Sequence, residues 1–224
     1  MTAAIIVAAG SSRRMGFDKL MAQLSSRTVL EHSIEAFLTC ADIDEVIVVT
    51  DESRFSRLVL DQSQKKVRRV EGGNERQDSV LNGLLSLGSD VEQVAIHDGA
   101  RPIVNPLSIS KVLAVSEEMG AASLARPVTD TLKRADTSQF VQAAVSRENL
   151  WAMETPQCFE RRLILEAYRF VQSKSLEVTD EVSAVEAIGH AVKLVINDHP
   201  NPKVTYPGDL EIARLLGRID TPTR

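Results

Sequence analysis

Cysteine, histidine and aromatic residues are scarce in this chain: two cysteines, four histidines, one tryptophan and 4% aromatics in 224 residues. Cys40 and Cys158 have no metal-ligand spacing and cannot form a disulfide framework, so a reducing, cytoplasmic setting is expected. The scattered histidines give no Ser/His/Asp or Cys/His set, and no cluster of His, Cys and carboxylates points to a protein-held metal. Net positive charge is missing too. At −5 the chain is no general nucleic-acid binder, and its basic clusters must be local features. No apolar run has the length of a membrane span, so no membrane partner is expected. The first strand begins within a few residues of Met1, which leads us to expect no signal or transit peptide.

What is present is enough hydrophobic residue, 43%, for a full core. The leading apolar run, Ala3 to Ala9, reads as a buried strand and breaks at Gly10 into Ser11-Ser12-Arg13-Arg14, Gly16 and Lys19. A strand that empties into glycine, serines and cations suits a polyphosphate, because loop N–H groups can turn inward and the cations neutralise what they hold. It is neither a Walker loop, which needs Lys after the second glycine, nor a dinucleotide fingerprint, since Ser12 and Met15 stand where glycines belong. The bland reading of the stretch is a strand followed by a solvated basic turn.

Further strands are expected at 45–50, 66–70, 94–97, 121–127 and 191–196. Helices are expected at 28–40, with a Thr28/Glu31 capping box, near 53–60, from the glycine-opened loop at 72–80 to about 87–88, and at 106–118, 160–171, 179–188 and 207–216. This alternation predicts an α/β, Rossmann-like, doubly wound and mostly parallel sheet within one domain, 1–224. The loops 10–19, 72–79 and 98–102 all follow strands and should converge at one sheet edge, where such folds bind ligands. Residues 128–153 shift to short alternating runs and read as a projecting β-arm. Such a hairpin needs a partner, so a homodimer is expected. His97 closes an apolar strand and is expected to be packed, Asp180-Glu181 to cap and open a helix, and Trp151 to pack in the arm.

Cations beside glycine loops, with one carboxylate, Asp98, at a strand end, fit a reaction driven by charge neutralisation. Nucleotidyl transfer to a phosphomonoester is one. The acceptor's second pKa of about 6 makes it a nucleophile without a general base. One unlike charge pair at ~4 Å contributes roughly 4 kcal/mol at an effective dielectric near 20.

The motifs AAGSSRRMG with Lys19, GGNERQDSV, HDGARP, PVTDTLKR, SRENLWAMETPQ, TDEVSA and NPKVTYPGDL occur in this order along nearly the whole chain. In them the sequence resembles the 2-C-methyl-D-erythritol 4-phosphate cytidylyltransferases of the non-mevalonate isoprenoid pathway. The resemblance implies a Rossmann-like sheet with a dimerising arm, CTP as substrate, and Mg²⁺ held mainly by the CTP phosphates. It also implies roles by position. Ala8, Ala9, Gly10 and Ser11 would bind CTP, and Arg14 and Lys19 would stabilise the pentavalent α-phosphate. Gly73, Asn74 and Ser79 would read the cytosine, and Gly99 would approach the ribose. Asp98, Arg101, Thr131 and Lys203 would hold the second substrate, while Arg147 and Thr155 would reach a partner's site. Asn74 stands where some members carry Asp, and Asp18 where proline is frequent, which predicts a less rigid approach to Lys19. A ribitol-5-phosphate cytidylyltransferase, a non-catalytic nucleotide-sensing homologue and a sugar-nucleotide pyrophosphorylase are the competing readings. Ala100 favours the methyl-bearing substrate over ribitol phosphate.

Overall fold

The computed structural model describes residues 1–10, 15–61 and 65–219, so Ser11 and Arg14 lie outside the described residues. In chain order the first half runs β1 (Thr2–Val7), a 3-10 helix (Lys19–Met21), a small hairpin of β2 (Gln23–Leu24) and β3 (Arg27–Thr28), α1 (Val29–Thr39), β4 (Glu45–Val49), α2 (Glu52–Phe55), β5 (Lys66–Val70), α3 (Arg76–Leu85) and β6 (Gln93–Asp98). The second half runs α4 (Pro106–Met119), β7 (Ala121–Pro127), β8 (Leu132–Ala135), β9 (Val141–Val145), β10 (Trp151–Glu160), α5 (Arg161–Ser173), α6 (Glu181–Ala187), β11 (Lys193–Ile196) and α7 (Pro207–Ile219).

Seven strands form the central sheet in the order β11-β7-β10-β6-β1-β4-β5. β1 pairs in parallel with β4 and β6, as β4 does with β5 and β11 with β7, and β10 alone among the described strands of this sheet runs antiparallel. The side-chain period of two sends β1 into both faces. Ala4 and Ile6 join a core with Ile34 and Phe37 of α1 and Ile109 of α4. Ala3 and Ile5 join a second core with Leu84 of α3, Tyr168 of α5 and Val185 of α6. The expected doubly wound sheet is therefore present, buried on both sides.

The expected arm changes in extent. β8 and β9 form a separate exposed hairpin, but Trp151 to Met153, read from sequence as part of the arm, open β10 and pair with Pro127 to Ala125 of the central sheet. That ten-residue strand escaped sequence reading because of Pro156, which cannot donate to a ladder and argues against a central strand. The structure accommodates it at the register shift between Met153 and Gln157, where no ladder bond is required. No helix among the described residues is long and apolar enough to cross a membrane.

α1 starts at the capping box expected from sequence: Thr28 Oγ1 accepts the Glu31 N–H (3.2 Å) and Glu31 Oε2 accepts the Thr28 N–H (2.7 Å). The other carboxylate oxygen accepts the Val59 N–H at 2.7 Å, tying the segment after α2 to this helix start. Thr28→Ala should lower unfolding free energy by about 1 kcal/mol in urea titrations with an unchanged m-value. A loss near zero would show that the hydroxyl is not what holds the helix start.

Candidate functional site

Because β1, β5 and β6 are parallel, their carboxyl ends share one edge, and the loops beyond them enclose a cleft of about 550 Å³. Ala9, Gly10, Lys19, Gly73, Asn74 and Lys203 are on its wall. The loops touch closely enough that glycine is required: a Cβ at Gly72 would lie 2.3 Å from the Ala9 Cβ, and one at Gly73 would lie 2.2 Å from the Asp78 Cβ. The 72–79 loop is folded against the start of α3. Ser79 Oγ accepts the Gly73 N–H (3.0 Å) and donates to the Glu75 carbonyl (3.2 Å), and Asp78 accepts the Glu75 N–H at 3.0 Å. Ser79 thus shapes the loop from beneath while also lining the cleft. Ala8 is buried beside the wall, and Gly99, packed against Leu30, donates its N–H to the Val7 carbonyl at 3.0 Å.

Asp98, the last residue of β6, is the electrostatic centre. Lys203 Nζ stands 2.8 Å from its Oδ2, the Arg76 guanidinium 3.3 Å from Oδ1, and Arg101 Nε 3.7 Å from Oδ2. Burial alone would push this carboxyl up, but Arg76, Lys203 and Arg101 outweigh it and hold it well below the usual carboxylate range. Asp98 therefore carries a full negative charge that keeps three cations together. The loop bearing Lys203 is fixed by the Val204 N–H donating to Ala100 O (2.8 Å), by Arg101 donating to Asn201 O (2.6 Å), and by Lys19 Nζ donating to Val204 O (2.8 Å). Lys19 and Lys203 are thereby brought to the same wall.

Two residues of this network have no place in the site from sequence, where Glu181 reads only as part of a helix start. Arg76, at the start of α3, is gripped by Glu181 through two bonds of 2.6 and 3.0 Å. Glu181 is fully buried and also accepts the Tyr168 hydroxyl at 3.2 Å. Burial opposes the charge of Arg76, but Glu181 and Asp98 reverse that and raise its pKa. The expected cap of α6 is real for Asp180, which accepts the Ser183 N–H at 2.9 Å, whereas Glu181 turns inward to this pair. An arginine and a glutamate 105 positions apart leave no local signal; only an acid facing the apolar side of a helix could have suggested it.

His97 is packed, as expected, with its ring 4.9 Å from that of Phe37. Thr155 Oγ1 accepts the Asp98 N–H (3.1 Å) and lies 2.9 Å from His97 Nδ1, so its proton goes to that nitrogen and Nε2–H donates to the Arg101 carbonyl (3.2 Å). Thr155 thus sits beneath Asp98, buried, and does not line the cleft. Thr131 and Arg147 also lie off the cleft wall, exposed on the arm, where the Arg147 guanidinium donates to the Thr129 carbonyl. Among the described residues no group of three or more His, Cys, Asp or Glu side chains could form a metal cage.

Burial pushes the His97 imidazole down to about 4, against the pull of Asp98. An unfolded histidine titrates near 6.5, so between these values the unfolded chain binds the extra proton and stability falls as pH drops. The loss should approach about 3 kcal/mol by the lower limit of that window. In His97→Gln the slope of unfolding free energy between about pH 6.5 and 4.5 should flatten; an unchanged slope would move the effect to another group.

The family profile described as IspD, 2-C-methyl-D-erythritol 4-phosphate cytidylyltransferase, matches residues 2–218. The protein of that name from Desulforamulus reducens is 40% identical over 218 residues, covering 94% of this chain and 93% of its own. The one from Caldanaerobacter subterraneus subsp. tengcongensis is 41% identical over 222 residues, covering 96% and 98%. Among solved structures, the 2-C-methyl-D-erythritol 4-phosphate cytidylyltransferase of Thermus thermophilus superposes with a TM-score of 0.81 at 32% identity over 97% of this chain and 100% of that one. The 4-diphosphocytidyl-2C-methyl-D-erythritol synthase of Anaerococcus prevotii gives 0.85 at 27% identity over 97% and 96%.

Proposed function

The chain belongs to the 2-C-methyl-D-erythritol 4-phosphate cytidylyltransferase family, and on that premise we propose how its cleft performs the reaction. The enzyme transfers CMP from CTP to 2-C-methyl-D-erythritol 4-phosphate in isoprenoid synthesis, giving the 4-diphosphocytidyl product and pyrophosphate. An acceptor phosphate oxygen attacks the α-phosphorus, the bond to the β-phosphate oxygen breaks, and pyrophosphate leaves with the electron pair. No proton need move, because the acceptor phosphate is largely dianionic at neutral pH. The barrier is the approach of two anions and the charge gathering on the α-phosphate, so fixed cations supply the catalysis. The observation that carries this reading is the convergence of Lys19, Lys203 and Arg76 on one cleft around Asp98.

Lys19, with Arg14, takes the α-phosphate. Ala8, Ala9, Gly10 and Ser11 cradle CTP, and the tight 72–79 loop, with Gly73, Asn74 and Ser79, admits a pyrimidine and leaves no room for a purine. Gly99 faces the ribose. Asp98 and Lys203 take the acceptor's hydroxyls and phosphate, with Arg101 behind them and Ala100 as a small wall on the cleft. Mg²⁺ fits this donor set as a metal brought by the CTP phosphates, which it would neutralise, since it usually binds through substrate phosphates and one or two carboxylates. The residues form a single domain. The protein works as a cytoplasmic homodimer in which Thr131 and Arg147, exposed on the arm, complete a partner's site, whereas Thr155, buried under Asp98 of its own chain, supports that chain's site instead of reaching across. In favour of the dimer are the isolated β8–β9 hairpin and its Phe140 and Val141, 71% and 65% exposed, since two strands seldom hold alone.

Pyrophosphate release should require CTP and methylerythritol phosphate together, with little release from UTP or ribitol 5-phosphate. Efficient use of ribitol 5-phosphate would overturn the pocket reading around Ala100. Lys19→Ala should lower kcat on the order of a hundredfold while CTP affinity changes little. Mixed with Arg147→Ala, subunit exchange should restore about a quarter of wild-type activity if sites are shared across the dimer. No recovery after demonstrated exchange would restrict the site to one chain.

A further inference from the structure

Arg54 is a buried guanidinium away from the cleft wall, yet it binds both ends of the segment that carries the cleft's first loop. Its Nη1 donates to the Ala8 carbonyl at 2.6 Å, to Thr50 Oγ1 at 3.0 Å and to Asp51 Oδ2 at 3.0 Å. Its Nε donates to Asp18 Oδ2 at 3.0 Å. Ala8 ends the run out of β1, and Asp18 lies ten positions further along the chain, immediately before Lys19. The second oxygen of Asp18 accepts the Leu20 N–H at 3.2 Å and so caps the 3-10 helix that Lys19 begins. One side chain therefore fixes where the loop leaves the sheet and where it returns.

The arrangement is stable because the charge of Arg54 is met on both sides. A buried cation with one missing partner is costly, whereas here two carboxylates and two neutral oxygens share its donors. Asp51 is itself held as the cap of α2, accepting the Arg54 N–H at 2.8 Å, so the guanidinium is anchored to the sheet side and Asp18 is the member brought to it. The expectation of a looser approach to Lys19, drawn from an aspartate in place of a proline, does not describe what the structure shows: the restraint here is an ion pair instead of a ring.

We propose that Arg54 and Asp18 form a positioning pair that sets Lys19 against the α-phosphate, so that turnover depends on a salt bridge outside the cleft. The proposal rests on the role given to Lys19 above. A displacement of about 1 Å at a group that acts by position can cost up to a hundredfold in rate.

The test measures kcat and both KM values for Asp18→Asn, Asp18→Ala, Arg54→Lys, the Asp18→Asn/Arg54→Lys double variant and Lys19→Ala, with melting temperatures for each. Asp18→Asn keeps an oxygen for the Leu20 N–H but removes the charge. It should fold as the wild type does and lose on the order of tenfold in kcat, with acceptor KM within about twofold. The double variant should be no slower than Arg54→Lys alone, because the two residues act as one unit. If Arg54→Lys does not fold, the two Asp18 variants decide. Equal losses in Asn and Ala support the pair, whereas a loss in Ala alone reduces Asp18 to a helix cap and overturns it. Multiplying losses in the double variant also overturn it. Wild-type turnover in Asp18→Asn beside an impaired Lys19→Ala overturns the pair alone; wild-type turnover in Lys19→Ala overturns the role of Lys19 and the proposal with it.

Discussion

Lys203, Arg76 and Arg101 all stand within 3.7 Å of the Asp98 carboxylate, and most of the site depends on how that charge is kept in place. A cleft that receives triphosphate and phosphomonoester must be positive before they arrive, and cations gathered without a counter-charge repel one another. Asp98 supplies the counter-charge. Burial would neutralise it, but the cations hold it ionised, so the anion and its cations stabilise each other. Arg76 is fixed in turn by Glu181, which no solvent reaches. Glu181 is buried while Arg76 reaches the cleft, so the chain Tyr168, Glu181, Arg76 and Asp98 mounts the cleft's charge on the core.

The sheet explains why these groups meet. Parallel strands bring the loops after β1, β5 and β6 to one edge, and the antiparallel β10 lies beside β6 to place Thr155 under the Asp98 backbone and the Met153 carbonyl against Arg101 (3.4 Å). Arg54 does the same for the first loop from the opposite side of β1. The cleft wall is thus supported from behind by a buried polar set that includes Glu181, Thr155, His97 and Arg54.

Features that depend on neighbours in sequence were legible from the chain alone. The Thr28/Glu31 capping box, the β5 and β7 strands and the three glycine loops each carry a local pattern, and the loops already located the cleft. The longer-range parts were not. Pro156 concealed β10, because only the register shift reveals that no ladder donor is needed there. Glu181 looked like part of a helix start beside Asp180, and its inward turn depends on Arg76 arriving from another face of the fold. Arg54 sits in a four-residue helix with no motif around it. Asp18, read as a loosening substitution, is a tether whose partner lies 36 positions away.

The most direct test of the central claim is acceptor binding in Glu181→Gln, a variant that removes one buried charge and meets the cleft wall only through Arg76. With Glu181 neutral, Arg76 turns its charge on Asp98 alone and withdraws that carboxylate from the acceptor. The KM for 2-C-methyl-D-erythritol 4-phosphate should rise on the order of tenfold while the KM for CTP stays within about twofold. A folded Glu181→Gln with unaltered acceptor KM and turnover would contradict the view that the buried chain behind Asp98 sets the cleft's charge.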